Sequence, residues 1–201
     1  MKQFLVILDA GHGGIVNGKY TTAPSKMFKH KDGSVAYEGV INRQVKNRLK
    51  ELLDEAGISY TDITPTNDDI SLNERVKRAN LLHSFNCFYL SIHSNAGGGS
   101  GFEVWTSPGE TLSDQYAKIW AEEIKKEFTE FPFRHGFGKG EPDKEEKFYV
   151  LVHTVMPAVL GELLFFDNMS DWRVQRTLKY IDRIARATLN FIKRAEMEVL
   201  T

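Results

Sequence analysis

The sequence predicts a single α/β domain built on a mostly parallel sheet with helices on both faces. Three observations carry that expectation. Short apolar runs at Phe4–Leu8, Phe88–Ile92 and Ala158–Phe166 have the length and continuity of strands covered on both sides. Stretches with helical spacing stand between them, so strands and helices alternate along the chain. The 201 residues, 41% hydrophobic and 26% charged, suffice for one core: area scaling buries about 70% of the unfolded surface. One domain over residues 1–201 is therefore expected.

Each element has its own signal. Phe4–Asp9 reads as the first strand, and Gly11, Gly13, Gly14 and Gly18 mark the loop after it. Val40, Ile41, Val45, Leu49, Leu52, Leu53 and Ala56 recur at helical spacing, with Gly57 as the stop. Ser59–Ile63 suits a short strand. Ser71 caps a helix carrying Leu72, Val76, Ala79, Leu81 and Leu82, with Glu74 at the reach-back position of a capping box. A glycine loop at 97–101 leads to a strand at Phe102–Thr106. Tyr116, Ile119, Trp120, Ile124 and Phe128 line one face of a helix. Phe131–Lys147, rich in Pro, Gly and charge, reads as an irregular loop. Val150–Val152 and Ala158–Phe166 read as strand material around Pro157. Asp171 is the expected cap of a last helix that turns Ile181, Ile184, Ala185, Leu189 and Ile192 inward.

Composition removes several functions. Basic and acidic residues number 26 and 27, which leaves no bulk charge for nucleic acid or an anionic membrane. No apolar run reaches the roughly 18 residues of a membrane span. The lone cysteine, Cys87, excludes an internal disulfide and a four-cysteine zinc site, and it reads as a small buried residue.

In open α/β sheets, ligands bind beyond the carboxyl ends of the strands. There the chain places Asp9-Ala10-Gly11-His12-Gly13-Gly14, Ser91-Ile92-His93-Ser94-Asn95-Ala96, and Gly161-Glu162. Glu38 opens the second helical stretch. Two imidazoles and a carboxylate are a catalytic zinc set, with the fourth position open to water or substrate. A further carboxylate is then needed as a base. Blander readings exist for each residue. A strand-end histidine is often structural, and Glu38 can simply complement the helix dipole. The glycine loop lacks phosphate-loop spacing. Glu162, a charge inside an otherwise apolar run, is the hardest to explain without a function.

At these residues the chain resembles the zinc-dependent N-acetylmuramoyl-L-alanine amidases of the type-3 family. The resemblance runs from about Phe4 to about Phe191. It rests on Leu8-Asp9-Ala10-Gly11-His12-Gly13-Gly14, on Glu38 with Asn42, and on Leu72-x-x-Arg75 with Ala79-Asn80. Ser91-Ile92-His93-Ser94-Asn95-Ala96, Gly101-Phe102-Glu103-Val104, and Pro157-Ala158-Val159-Leu160 before Glu162 and Asn168 complete it. The resemblance implies a twisted sheet of about six strands and hydrolysis of the amide between the lactyl group of N-acetylmuramic acid and L-alanine of the stem peptide. It implies one zinc ion held by His12, Glu38 and His93, with Glu162 as the general base. Arg134 is a candidate contact for a peptide carboxylate, and Asn95 a candidate to orient His93 or its loop.

Two departures from the family pattern stand out. His12 and Glu38 lie 26 positions apart, wider than in compact members. The extra length, Lys19–Tyr37, carries Lys26, Lys29, Lys31 and Asp32 and is expected to be a loop beside the cleft. In addition, Glu162 is followed by Leu163-Leu164-Phe165, where family members carry Leu or Thr, then Gly and Phe.

The expected partner is peptidoglycan or a muropeptide, with no nucleic acid and no membrane span, and the expected state is a monomer. No long inserted helix of the autoinhibited cell-division type is seen, so an open site is expected. The apolar run after Met1 is too short for a signal-peptide core. A phage-type lysin released from the cytoplasm and an exported enzyme lacking its leader both fit. Competing functions are a zinc peptidase cutting within the stem peptide and a non-catalytic peptidoglycan-binding module.

Overall fold

The computed structural model describes residues 4–83, 86–136 and 142–199. The first apolar run forms β1 (Phe4–Ala10). Two small hairpins follow, β2 (Ile15–Val16) with β3 (Lys19–Tyr20), and β4 (Met27–Lys29) with β5 (Val35–Tyr37). Then come α1 (Glu38–Ala56), β6 (Tyr60–Asp62), α2 (Leu72–Asn80), β7 (Asn86–Asn95), β8 (Phe102–Thr106) and α3 (Leu112–Glu127). The chain continues through β9 (Lys144–Glu145), α4 (Tyr149–His153), β10 (Ala158–Phe165), α5 (Met169–Gln175) and α6 (Leu178–Glu198).

Six strands form one sheet in the order β6-β1-β7-β10-β8-β9. β6, β1, β7 and β10 run parallel, and β8 is antiparallel to β10. Successive side chains of a strand face opposite ways, so each central strand supplies two cores. Phe4, Val6 and Leu8 of β1, with Phe88, Leu90 and Ile92 of β7, pack under α1, α3 and α6. Leu5 and Ile7, with Cys87 and Tyr89, pack under α2 and α4. Asp9, Ser91 and His93 continue that second face at the carboxyl ends of β1 and β7. Glu162 of β10 sits directly across from His93 in the parallel register. The period of two thus brings these residues to one side of one sheet end.

The apolar stripe of α1 packs Ile41, Val45, Leu49, Leu52 and Leu53 inward, and Gly57 ends the helix with φ +67. That left-handed turn suits glycine. At the other end of α1, a Cβ on Gly39 would overlap the Gly13 carbonyl oxygen. The close approach sets Glu38 against the loop that carries His12. Gly39→Ala is expected to lower stability by about 1–3 kcal/mol through overpacking, read as a lower denaturant midpoint at unchanged slope.

The structure corrects several expectations. Val150–Val152 is not a strand but lies in α4, which Phe148 enters from extended backbone. A short apolar run does not discriminate the two by period. Asp171 does not cap the last helix. Asn168 caps α5 and Thr177 caps α6, while Asp171 is buried and accepts from Ser100 Oγ and from the backbone N–H of Gly101 and Phe165. Ser71 caps α2, but Glu74 pairs with Arg78 at 2.8 Å, and Leu81 and Leu82 lie beyond the helix. The 19–37 segment is not all loop: it holds β3, the second strand of the first hairpin, and the whole β4–β5 hairpin. Phe131–Lys147 includes β9; its residues 137–141, and residues 1–3 of the N-terminal reading, lie outside the described residues. Among the described residues no helix is long and apolar enough to cross a membrane.

Candidate metal centre

The site is built at the carboxyl ends of β1, β7 and β10 and the amino end of α1. His12 follows β1 in the left-handed region, φ +63, a backbone state that is costly for a residue other than glycine and that clusters at functional sites. Glu38 is the first residue of α1. His93 lies in β7, and its ring rests where a Cβ on residue 11 would be, so Gly11 leaves room for it.

These three side chains converge. Glu38 Oε1 lies 3.3 Å from His12 Nε2 and 3.0 Å from His93 Nδ1. One ligand atom from each residue falls within 4.8 Å of the others. Tetrahedral bonds of about 2.0–2.2 Å require ligand atoms about 3.3–3.6 Å apart, and the two separations from Glu38 Oε1, 3.3 and 3.0 Å, lie close to that range. His12 Nε2 and Glu38 Oε2 are buried without a hydrogen-bond partner, as is Glu162 Oε2. Buried polar atoms are rarely left so.

Neighbouring groups hold the cluster in shape. The Asn42 side-chain amide, one turn along α1, donates to the Gly11 carbonyl at 3.1 Å and to Glu38 Oε1 at 3.5 Å. The Ser94 N–H reaches the same carboxylate oxygen at 3.4 Å. Burial works against charge on Glu38, yet the two imidazoles beside it hold its carboxyl well below the usual range. Glu162 has no such partners. Burial, together with the Glu38 charge, outweighs His93 and pushes its carboxyl up to about 8. A cation in the ligand cluster favours its ionised form.

Beneath the cluster, Asp9 is 1% exposed and accepts from Tyr89 Oη at 2.6 Å and Ser91 Oγ at 2.9 Å. Arg75 of α2 pairs with Asp9 and donates to the carbonyls of Ala10 at 2.7 Å and His12 at 3.1 Å. Burial raises the Asp9 pKa, but Arg75 together with the Tyr89 and Ser91 hydroxyls and His93 outweighs it and holds the carboxyl below its usual value. Arg75→Met leaves that buried carboxylate unpaired, for an expected loss of about 3–5 kcal/mol, read by urea unfolding.

A cleft of 540 Å³ opens over these groups. His12, His93, Glu162, Asp9, Asp69 and Lys26 form its polar part, and Ile70, Leu72, Phe148, Tyr149, Val150 and Leu160 its apolar wall. The remaining expected residues stand outside it. Asn95 donates to Glu103 at 2.9 Å and accepts from the Ala96 N–H at 2.8 Å, which shapes the turn after His93. Arg134 is exposed, with Nε on Glu103 at 2.6 Å and its guanidinium over the Phe165 ring. Glu103 also accepts from Lys144 at 2.8 Å and sits across from Glu162 in the β8–β10 register. Where the family pattern has glycine after the late strand, Leu164 adopts φ +69 at a shift in the β10 register.

Sequence reasoning placed the 19–37 segment beside the cleft but did not single out Lys26 from Lys29 and Lys31 as the residue that lines it. The Lys26 Nζ lies 3.7 Å from Glu38 Oε2, yet the residue sits in a segment without period. Only the hairpin geometry brings it there. His30 of the same segment is buried, with Nε2 3.0 Å from the Phe166 carbonyl oxygen and its ring stacked on Trp172.

An α/β sheet that ends in a His–Glu–His cluster able to hold a metal ion, beside a buried carboxylate, has the layout of a hydrolase. The chain belongs to the N-acetylmuramoyl-L-alanine amidase family, whose model matches residues 6–194. It is 31% identical over 191 residues to an N-acetylmuramoyl-L-alanine amidase of Bacillus licheniformis, across 94% of this chain and 68% of that one. A sporulation-specific amidase of Bacillus subtilis strain 168 is 30% identical over 194 residues, across 94% and 67%. The chain thus spans about two thirds of the length of these relatives. The crystal structure of an N-acetylmuramoyl-L-alanine amidase from Clostridium difficile 630 superposes with a TM-score of 0.79. It is 24% identical and covers 98% of this chain and 99% of its own, a likeness that bears on the fold.

Proposed function

We propose that the cleft hydrolyses the amide between the lactyl carbonyl of N-acetylmuramic acid and L-alanine in peptidoglycan, using one zinc ion held by His12, Glu38 and His93. The observation that carries this reading is the convergence of the three ligand atoms beside the unpartnered Glu162. Two imidazoles and one carboxylate suit zinc. When bound, such an ion polarises a carbonyl and lowers the pKa of water from 15.7 to about 7. The chain's own residues do the rest. Glu162 takes a proton from the attacking water, whose oxygen joins the lactyl carbonyl carbon. As the carbon–nitrogen bond breaks, Glu162 passes its proton to the alanine nitrogen. Arg75 and Asn42 keep the His12 loop and Glu38 in place. Arg134 and Asn95 have a lesser part: Glu103 engages both, on the strand next to Glu162. Action on the cell wall follows from this substrate.

Mass spectrometry of digested peptidoglycan tests the reading. Stem peptides with a free alanine amine, and lactyl sugars freed of peptide, are the expected products. Cuts within the stem would assign the site to a peptidase instead, and muropeptide binding without amine release would assign it to a binding module.

A further inference from the structure

We infer that Lys26 is a specificity-determining residue that binds a free carboxylate on the second residue of the stem peptide. The inference rests on the amidase reading of the cleft and concerns which substrates that cleft prefers. Three observations place Lys26 there by construction. Its carbonyl accepts from the Glu38 N–H at 3.0 Å, so the start of α1 holds its backbone. That backbone is left-handed, φ +57, a state that an L-residue keeps only where its surroundings enforce it. The hairpin around it is anchored on the far side by His30 on the Phe166 carbonyl, by Trp172 Nε1 on Ser34 Oγ at 2.9 Å, and by buried Ala36.

The charge of the cleft gives Lys26 its task. The other cation lining it, Arg75, is 2% exposed and committed to Asp9 and two carbonyls. Lys26 is 47% exposed at its side chain, and among the described residues no other cationic side chain lining the cleft faces the open space. Around it stand Glu38, Glu162 and Asp69, all acidic. A bound zinc ion would offset the charge of Glu38, and the carboxylates of Glu162 and Asp69 would still repel an anionic ligand unless a side-chain cation met it.

The chemistry of the stem limits which anion that is. With the scissile amide at the His12–Glu38–His93 cluster, as the amidase reading has it, an ammonium 3.7 Å from Glu38 Oε2 is within one or two residues of the cut, given about 3.3–3.6 Å of extended chain per residue. The alanine at the cut carries no charge in its side chain. The first anion beyond it is the α-carboxylate of the second residue, which is left free because that residue is linked onward through its side chain. Where that carboxylate is amidated, the charge and the contact are lost.

Two synthetic muramyl tripeptides, identical but for an α-carboxylate or α-carboxamide on the second residue, test the inference. Zinc-loaded wild-type protein is expected to favour the carboxylate by about tenfold or more in kcat/KM, chiefly through KM. Lys26→Met is expected to bring that ratio near one, and Lys26→Arg to retain it. The corresponding product peptides, titrated by calorimetry without turnover, are expected to show the same order of Kd. Unchanged thermal midpoints of both variants establish that the fold is intact. Equal use of the two substrates by wild type overturns the inference and leaves the amidase reading standing. So does a loss in Lys26→Met that falls on kcat alike for both substrates. Hydrolysis of neither tripeptide by wild type overturns both.

Discussion

Glu162→Gln is expected to lower kcat by about 10²–10⁴-fold, the range that a positioned general acid–base group supplies. The substitution keeps the shape of the side chain and removes its ability to take a proton. Glu162 sits beside the ligand cluster without belonging to it, and its Oε2 has no hydrogen-bond partner. Metal content and thermal stability are therefore expected to stay near wild type, and Glu162→Ala should show the same division. Amine release from muropeptide and metal analysis of the same sample read both halves. Wild-type turnover in either variant removes Glu162 from the mechanism.

His12→Ala has a different signature. It deletes one of the three proposed ligand atoms, so both bound metal and turnover are expected to be lost. The free energy of binding a ligand to the folded state adds to stability, about 4 kcal/mol at a concentration 1,000 times Kd. Zinc is therefore expected to raise the unfolding temperature of the wild type and of Glu162→Gln, but not of His12→Ala. A His12→Ala protein that binds zinc stoichiometrically and is stabilised by it would place the ion elsewhere. The contrast between the two substitutions separates a residue that holds the ion from one that moves a proton.

Much of this was legible because period and punctuation reflect local physics. The apolar run of β1, the stripe of α1 and its Gly57 stop are fixed by short-range pattern, and the structure has them where expected. The strand-end rule pointed to His12, His93 and Glu162 because alternation along β7 and β10 sends every second residue to one face. What escaped depends on tertiary context. Tyr149–His153 is helical because Val150 and Leu151 find a core beside α2, which a five-residue run cannot announce. Asp171 looks like a cap in one dimension, yet its carboxylate ties the 100–101 turn to the end of β10. Lys26 enters the cleft through a hairpin whose anchors, Phe166 and Trp172, lie about 140 residues onward.

The most direct test is a crystal structure of the protein grown with zinc, with the ion located by its anomalous scattering. The account predicts a single ion about 2.0–2.2 Å from His12 Nε2, Glu38 Oε1 and His93 Nδ1, with Glu162 beside it but unbound. An ion held by other side chains, or no ion among these three under saturating zinc, would contradict it.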